Sequence, residues 1–462
     1  MVEGGRGQHV MPNIFLALFS LVLLIFSVRR LGYSPVTAAV TVLSGTYFAL
    51  LLAPLPYYAL STDAALVLAA GTCSLVAVGL LPRSRARPSI SAHVASGASR
   101  QVEQRASLKL VVLLSLLLLV AVALGYSAFT SGISAATNAD YDQLSLEEVR
   151  RAQNTGARGG GLFALLGSLG PLLGCLGLYG ARHHSKVFLL LPLIAIYVAV
   201  QNPSRLNSIT LLVVLAVFYF YLRSDGRPVL RKSSQKPLAA RLRDSDPTAV
   251  QSSRRRLVIV GLVSFTGAVV LFNAVGSALG KNASTAAGFP NYDWPAWTLS
   301  PIFYFTGSYP ALTVSLSEDS SPYDKGTSFY SLMRLIHVFN PRVDVPETIA
   351  QYSLMPVPFN LYSGFGQLFF DTGWIGLVLI CAALGVLVQL LHVSARKGSL
   401  PGAWACASLT SVLLAMPQSF LLFNLDVLVR LIVGILMFSM IKRSEQKVGP
   451  ASPVAQPRFV GR

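Results

Sequence analysis

The sequence predicts an all-α protein that crosses a membrane many times: a polytopic integral membrane protein with about eleven transmembrane helices. Of its 462 residues, 53% are hydrophobic and 12% are charged, and the mean hydropathy is +0.59. In soluble domains, roughly a quarter of all residues are charged. Stretches without Asp, Glu, Lys or Arg recur along the chain, and many are long enough for a helix of about 20 residues to cross hydrocarbon. These observations exclude a water-soluble globule.

Eleven charge-poor windows mark the predicted spans in chain order. They cover residues 12–28, 35–55, 64–81, 110–127, 160–179, 187–200, 207–222, 257–279, 372–391, 401–417 and 427–441. The chain then divides into the first three spans (1–81), a basic cytoplasmic loop (82–108), spans four to seven with an outer loop at 130–159 (109–222), a basic cytoplasmic loop (223–256), span eight (257–280), a large outer loop (281–371), spans nine to eleven (372–441) and a basic cytoplasmic tail (442–462).

The positive charge of the chain lies mainly in the loops that this order places inside. The net charge is +18, and with the N-terminus outside, most of the 37 Lys and Arg residues fall in cytoplasmic loops. Such an excess is the positive-inside pattern, so it predicts an N-out, C-in orientation and contact with anionic membrane lipid. A nucleic-acid partner is not expected, because the basic loop 223–256 has no aromatic residue to interleave with its charges.

No sequence pattern for a cofactor is present. The four cysteines lie inside apolar runs without paired spacing, which predicts neither a disulfide framework nor a cysteine-ligated metal; they are Cys73, Cys175, Cys381 and Cys406. P-loop, dinucleotide-binding, HExxH and EF-hand patterns are missing from the sequence. We therefore expect no cofactor and no metal, and any energy for chemistry has to arrive with the substrate.

The two longest outer segments are the places where we expect folded structure outside the membrane. The 281–371 segment is rich in Tyr, Trp, Phe, Pro and Gly, and its charge-free stretches 294–317 and 349–370 predict amphipathic or re-entrant helices that lie on or partly in the membrane. Irregular backbone at that depth survives only against protein or a wet cavity. Either stretch, read as a further span, would change the count. The second segment, 130–159, carries both acidic residues and arginines.

One short outer turn carries a candidate phosphate ligand. Spans six and seven are joined by residues 201–205, and Arg205 stands at the mouth of this hairpin. A guanidinium presents a planar fork that bonds two phosphate oxygens and stays charged. The alternative is an arginine that extends to lipid phosphate.

A stretch before the ninth span carries a family resemblance. Residues 358–376, PFNLYSGFGQLFFDTGWIG, resemble the "PFNxYT…LYxDFGxxG" region of bacterial oligosaccharide repeat unit polymerases, the O-antigen and capsule polymerase family. Residues 204–205 resemble the "SR" turn of that family, and 304–312 and 326–334 resemble its "YxxGxxxxF" and "GxxTFxxxxR" stretches. Thr372 departs from the pattern, which usually has Phe there, and this leaves polymerase and ligase as alternatives.

The resemblance implies a metal-independent, C-type membrane glycosyltransferase in the plasma membrane of a prokaryote. Its donor would be a polyprenyl-pyrophosphate-linked oligosaccharide on the outer face, polymerised into a cell-surface polysaccharide. A chain-length regulator and a flippase are candidate protein partners. Because an acceptor hydroxyl attacks the anomeric carbon as lipid pyrophosphate departs, the site has to stabilise phosphate charge and accept a proton.

Five arginines are the candidate pyrophosphate ligands under this reading. They are Arg205, then Arg334, then Arg150, Arg151 and Arg158 of the first outer segment. Each has an alternative role in a surface ion pair, most clearly Arg150 and Arg151, because acidic residues lie at helical spacing from them.

Two residues are candidate catalytic groups, and two tyrosines are candidate sugar ligands. His337 lies three residues after Arg334, on the same face of a helix, so it is a candidate base or a structural histidine. Asp371 at the mouth of the ninth span is a candidate base or the cap of a helix beginning at the next residue. Tyr304 and Tyr362 are candidate substrate contacts, the former alternatively part of an interfacial aromatic belt.

A different class of protein would use some of the same features. Asp426 and Arg430, at i and i+4 in the last span, predict an ion pair inside the bundle or a functional site. A transporter or flippase of lipid-linked saccharide also needs arginines in a membrane cavity, but it would show corresponding broken helices in two halves. The sequence shows no such correspondence, so the glycosyltransferase is the favoured reading.

Overall fold

The structure, a computed structural model, is helical in nearly all of the chain that it describes. It describes residues 10–52, 60–80, 107–145, 148, 149, 152, 161–201, 205–224, 270, 272–278, 294–317, 325–345, 353, 354, 358, 359 and 361–447. Two residue pairs in the large outer segment, β1 (Ser353–Leu354) and β2 (Pro358–Phe359), form a minimal antiparallel ladder.

The α-helices follow the predicted spans closely. They are α1 (Val10–Leu31), α2 (Pro35–Leu52), α3 (Thr62–Val76), α4 (Leu108–Thr137), α5 (Gly161–Gly167), α6 (Gly170–His183), α7 (Leu190–Gln201), α8 (Arg205–Ser224), α9 (Ala296–Thr306), α10 (Ser308–Ser317), α11 (Tyr330–Phe339), α12 (Gly364–Arg396), α13 (Leu400–Ala415) and α14 (Leu425–Lys447). Short 3₁₀ segments occupy Ala77–Leu80, Tyr141–Gln143, Lys186–Leu189 and Thr327–Phe329.

Among the described residues, five helical stretches are long and apolar enough to cross a membrane. They are Met11–Leu31, Thr62–Leu80, Leu108–Thr137, Leu206–Arg223 and Gly364–Arg396, and three shorter apolar helices accompany them at Pro35–Leu51, Lys186–Gln201 and Leu400–Ala415. The chain is thus consistent with a helical membrane protein. The predicted eighth span, 257–279, lies for the most part outside the described residues.

Three predicted spans differ from the helices that form. The window 110–127 ends too early, because α4 continues to Thr137, inside the predicted outer loop. The window 160–179 contains two helices, because α5 ends at Gly167 and α6 begins at Gly170. The window 372–391 starts too late: α12 begins at Gly364, where Ser363 Oγ accepts the Gly366 N–H at 3.0 Å. The window begins after the charge of Asp371, whereas the helix runs through that residue.

The centre of the bundle is α13. It is buried along nearly its whole length and packs against α2, α8, α12 and α14, while α3 packs against α12. Helices α4 and α5 cross with their backbones very close together, since a Cβ placed on Gly125 would lie 2.1 Å from the backbone nitrogen of Gly167. Small residues at a crossing let two backbones meet in this way.

The stretch 294–317, predicted as amphipathic or re-entrant, forms two short helices that lie against the bundle. Tyr309, Ala311 and Leu312 of α10 are fully buried, and the Tyr309 hydroxyl bonds to Thr46 Oγ1 of α2 at 2.8 Å. Neither α9 nor α10 has the roughly 20 residues of a spanning helix. This part of the large outer segment therefore packs into the protein and is no linker.

Candidate functional site

Asp371 joins two distant parts of the large outer segment. Its Oδ1 accepts the Gly326 N–H at 2.8 Å and its Oδ2 accepts the Ser328 N–H at 2.6 Å. The turn at Gly326 requires a residue that tolerates a positive φ, here +92°, and glycine adopts such a φ without steric cost. The carboxylate thus caps the 3₁₀ segment Thr327–Phe329.

The alternative that Asp371 caps a helix beginning at Thr372 is wrong. Asp371 lies inside α12, and the break in that helix comes two residues later, at Gly373 with φ +65° and ψ −168°. Both oxygens of the carboxylate hold backbone N–H groups that lie more than 40 residues upstream. The stretches 326–334 and 358–376, which were read separately in the sequence, are therefore in direct contact.

The helix that follows this turn carries the candidate base. His337 of α11 is half-buried, and its Nδ1 lies 2.7 Å from the carbonyl oxygen of Val343. Because a carbonyl only accepts, Nδ1 carries the proton, and in the neutral ring the lone pair is then on Nε2. This tautomer leaves Nε2 able to accept a proton.

Arg334 lies on the same helix with its charge in solvent. The side chain is exposed, and its Nη1 donates to the Tyr330 hydroxyl at 3.5 Å, the outer limit of a hydrogen bond. Within the described residues, no other hydrogen bond or ion pair of this side chain is present. The guanidinium remains open to a ligand.

The two candidate tyrosines occupy different environments. Tyr304 of α9 is half-buried, and its ring contacts Phe272 at a centroid distance of 4.9 Å. Tyr362 is 1% exposed and belongs to the hydrophobic core. A ring so buried has no face for a sugar, so the structure places Tyr362 in packing.

The connection between α13 and α14 ties these parts together. Phe423 stacks on Phe329 at 4.9 Å, and Gln418 Nε2 donates to the Tyr304 carbonyl. Gln367 Oε1 of α12 accepts the Phe420 N–H at 3.1 Å. Residues from α9, the capped turn and α12 therefore converge on one connection.

A cavity of about 280 Å³ lies between helices α4 to α8 and α14. Six helices and their ends contribute to its lining: Gly125, Tyr126, Phe129, Leu165, Gly167, Ser168, Gly170, Pro171, Ala195, Val198, Ala199, Asn207, Thr210, Leu211, Asp426 and Arg430. Of these described residues, Asp426 and Arg430 are the only ones with a formal charge. The sequence reading did not find this cavity, although it singled out both charged residues.

Arg430 is buried with few partners. It is 6% exposed, its Nη2 donates to Ser411 Oγ at 3.5 Å, and its Nε has no hydrogen-bond partner in the part of the chain described. The ion pair expected with Asp426 does not form within 4 Å between these two described side chains. A buried guanidinium with unused donors is costly unless a further group bonds to it.

The side chains of four other candidate arginines lie outside the described residues. Arg205 begins α8, with its side chain outside the description, and Asn207 and Thr210 of the same helix line the cavity. Arg150, Arg151 and Arg158 lie outside the described residues. The structure therefore does not place the five candidate guanidinium groups in one site.

Part of the first outer segment closes over the same region. The Tyr141 hydroxyl donates to the carbonyl oxygen of Gln201, the last residue of α7, at 3.1 Å. Burial raises the pKa of Tyr141 to about 12, so it stays a donor at neutral pH. Its ring also packs edge-on against Tyr126 and Phe129 of the cavity wall.

The fold defines this chain as a helical, membrane-type protein. A search of protein-family models, of curated proteins and of solved structures finds no match to it. Among the described residues, no group of three or more His, Cys, Asp or Glu side chains is arranged to hold a metal ion.

Proposed function

We propose that this chain is a membrane glycosyltransferase that polymerises polyprenyl-pyrophosphate-linked oligosaccharide repeat units. It acts on the outer face of the prokaryotic plasma membrane, with eleven spans in an N-out, C-in orientation, and builds a cell-surface polysaccharide. The donor carries its own energy in the lipid pyrophosphate bond.

The contact between Asp371 and the 326–328 turn is the observation that carries the proposal. The stretches 326–334 and 358–376 resemble the polymerase family independently of each other, and their nearest ends are 24 positions apart in the sequence. Their joining by two hydrogen bonds at 2.8 and 2.6 Å is what a common site would require.

The assignment of roles follows from these side chains. The acceptor hydroxyl attacks the anomeric carbon, its proton passes to Nε2 of His337, and the bond from that carbon to the pyrophosphate oxygen breaks, releasing lipid pyrophosphate. Arg334, together with Arg205 and the arginines of the first outer segment, stabilises the departing charge. Asp371 is a positioning residue, since both its oxygens hold the turn that precedes α11.

The cavity supports the alternating directions of the helices in this scheme. Its lining combines the C-terminal parts of α4 and α7 with the N-terminal parts of α6, α8 and α14. The proposed topology assigns the ends of α4, α7, α8 and α14 to the same, outer face, whereas α6 begins in the middle of the predicted fifth span. Helices that alternate in direction from α4 to α8 would bring these ends to one side, which agrees with the proposed order of spans.

The test is a reconstituted assay with the purified full chain in liposomes. Polyprenyl-pyrophosphate oligosaccharide is supplied without nucleotide, and products are separated on a gel and weighed by mass spectrometry. A ladder of longer lipid-linked glycans supports the polymerase. Transfer of one glycan to a different lipid acceptor would indicate a ligase, and passage of unaltered substrate across the bilayer would indicate a transporter; either result overturns the proposal.

A further inference from the structure

The cavity around Arg430 holds a charged pair whose two members are not bonded to each other. Arg430 carries five N–H donors, and one long hydrogen bond, to Ser411, is the only one it makes within the described chain. Asp426, one helical turn before it, lines the same cavity. One group that donates and accepts at once can bond to both.

Charge balance separates the ligand classes that could occupy this space. An anion gains from Arg430 and is repelled by Asp426, so the two effects oppose each other. A hydroxyl accepts from the guanidinium and donates to the carboxylate, so both effects favour it. The pair therefore selects a neutral, polyhydroxylated ligand over a phosphate or a carboxylate.

The rest of the wall has the mixture of surfaces that a sugar presents. Tyr126 and Phe129 supply aromatic surface to the cavity. The ring of Tyr141 packs edge-on against both rings, at centroid distances of 6.3 and 5.9 Å. Asn207 and Thr210 add an amide and a hydroxyl from the first turns of α8. Sites for small molecules are mainly apolar with a few placed polar groups.

The volume limits the size of the ligand. At about 280 Å³ the cavity is at the small end of ligand sites, which run from roughly 300 Å³ upwards. We propose that it binds a single sugar residue of the saccharide substrate, with ring hydroxyls between Asp426 and Arg430. This inference rests on the proposed function, because it assigns one sugar of the same substrate.

Saturation-transfer NMR on the full chain in lipid nanodiscs tests the inference. The probes are the methyl glycosides of glucose, galactose and N-acetylglucosamine, with inorganic phosphate and pyrophosphate as separate arms. We expect transfer to at least one glycoside, and Arg430→Gln to weaken binding by about tenfold, which is roughly the loss of one charged hydrogen bond. Arg443→Gln, an exposed arginine on the same helix, leaves binding unchanged.

Asp426→Asn distinguishes a sugar from an anion by the sign of its effect. Removing the negative charge weakens a ligand that donates to the carboxylate and strengthens an anion. Ala199→Leu fills the cavity and leaves the charges in place, so it should abolish glycoside binding. The unfolding temperature of this variant should equal that of the wild type. That variant keeps the test valid if Arg430→Gln does not fold.

Three results would overturn the sugar site. They are no transfer to any glycoside, equal transfer in Ala199→Leu and in the wild type, and pyrophosphate binding that Asp426→Asn strengthens. The polymerisation assay is run on the same samples, so that the two proposals fail separately: a ladder unaffected by Ala199→Leu refutes the site alone, and glycoside binding without a ladder refutes the polymerase alone.

Discussion

A single carboxylate, that of Asp371, determines the position of the candidate catalytic helix. Replacing it with asparagine keeps one acceptor oxygen and removes the charge, so one of the two N–H bonds is lost or weakened. Hydrogen bonds to charged groups contribute about 1.5–3 kcal/mol. We expect Asp371→Asn to shorten the glycan ladder strongly and to speed amide exchange at Gly326 and Ser328.

The control for this variant is Asp344→Asn, because Asp344 is exposed in the same segment. Its ladder and its exchange rates should match those of the wild type. A full ladder from Asp371→Asn together with faster exchange would show that the turn is structural and that α11 takes no part in the reaction.

His337 provides the second prediction at this scale. His337→Ala removes the proposed proton acceptor, and we expect polymerisation to be lost while the lipid-linked donor still binds with wild-type affinity. Donor binding is measured by its quenching of tryptophan fluorescence in nanodiscs. If the alanine variant retains activity, the bond from Nδ1 to Val343 is the whole role of this histidine.

Residue types were easier to recognise in the sequence than residue partners. A carboxylate before a span and an Asp–Arg pair at i and i+4 are visible in the sequence alone. The partner of Asp371 is 43 and 45 residues away, and the partner of Arg430, Ser411, comes from another helix. Local spacing carries no information about contacts of that kind.

Among the elements, α12 shows where a hydropathy window misleads. The helix begins at Gly364 under the Ser363 cap and continues past Asp371 to a break at Gly373. A window that stops at charged residues excludes the first eight residues by construction. The same approach located α1, α2 and α13 to within a few residues, because those helices have no charge in their apolar parts.

The break at Gly373 should be sensitive to any side chain. Its φ of +65° with ψ of −168° is a conformation that is essentially restricted to glycine, and such strain costs about 1–3 kcal/mol. No atom lies within 4 Å of a Cβ placed there, so the cost of Gly373→Ala is backbone strain alone. We expect a lower unfolding temperature in detergent.

Gly45→Ala is the matched control for that substitution. Gly45 lies inside α2, has equally open surroundings, and has helical geometry, so alanine should leave the unfolding temperature unchanged or raise it. An equal fall in both variants would point to a general effect of added methyl groups.

The crossing of α4 and α5 makes a further prediction. Gly125→Ala puts a methyl group 2.1 Å from the Gly167 nitrogen, which forces the backbones apart, whereas Gly167→Ala meets its nearest atom at 3.7 Å. Overpacking of this kind costs about 1–3 kcal/mol. Gly125→Ala should therefore unfold at a lower temperature than Gly167→Ala. Equal unfolding temperatures of the two variants would contradict the observed crossing.

For the whole molecule, topology is the property that the sequence predicts in most detail. We expect a membrane-impermeant maleimide to label cysteines placed at Gln143 and Arg342 in intact cells. Cysteines at Lys397 and Ser252 should react only after the cells are opened. The four natural cysteines are replaced first, since Cys73 is exposed. Labelling of Lys397→Cys from outside would reverse the proposed orientation.

The class of fold followed from composition, and the arrangement of the bundle did not. Apolar runs and basic loops were sufficient to predict a helical membrane protein. Which helices pack together depends on side-chain shape across the whole chain, as with the burial of α13 between α8 and α12 or the insertion of Tyr309 against α2. A periodicity of apolar residues shows that a helix is buried without showing what covers it.

The close approach of α4 and α5 also determines the width of the cavity beside them. Gly125 and Gly167 both belong to its wall, so its width depends on how near two backbones come and not on the length of a side chain. A chain evolving towards a bulkier sugar could be altered there without loss of any polar group. A methyl group at position 125 would force the two backbones apart, so the width of the cavity depends on a residue that makes no polar contact.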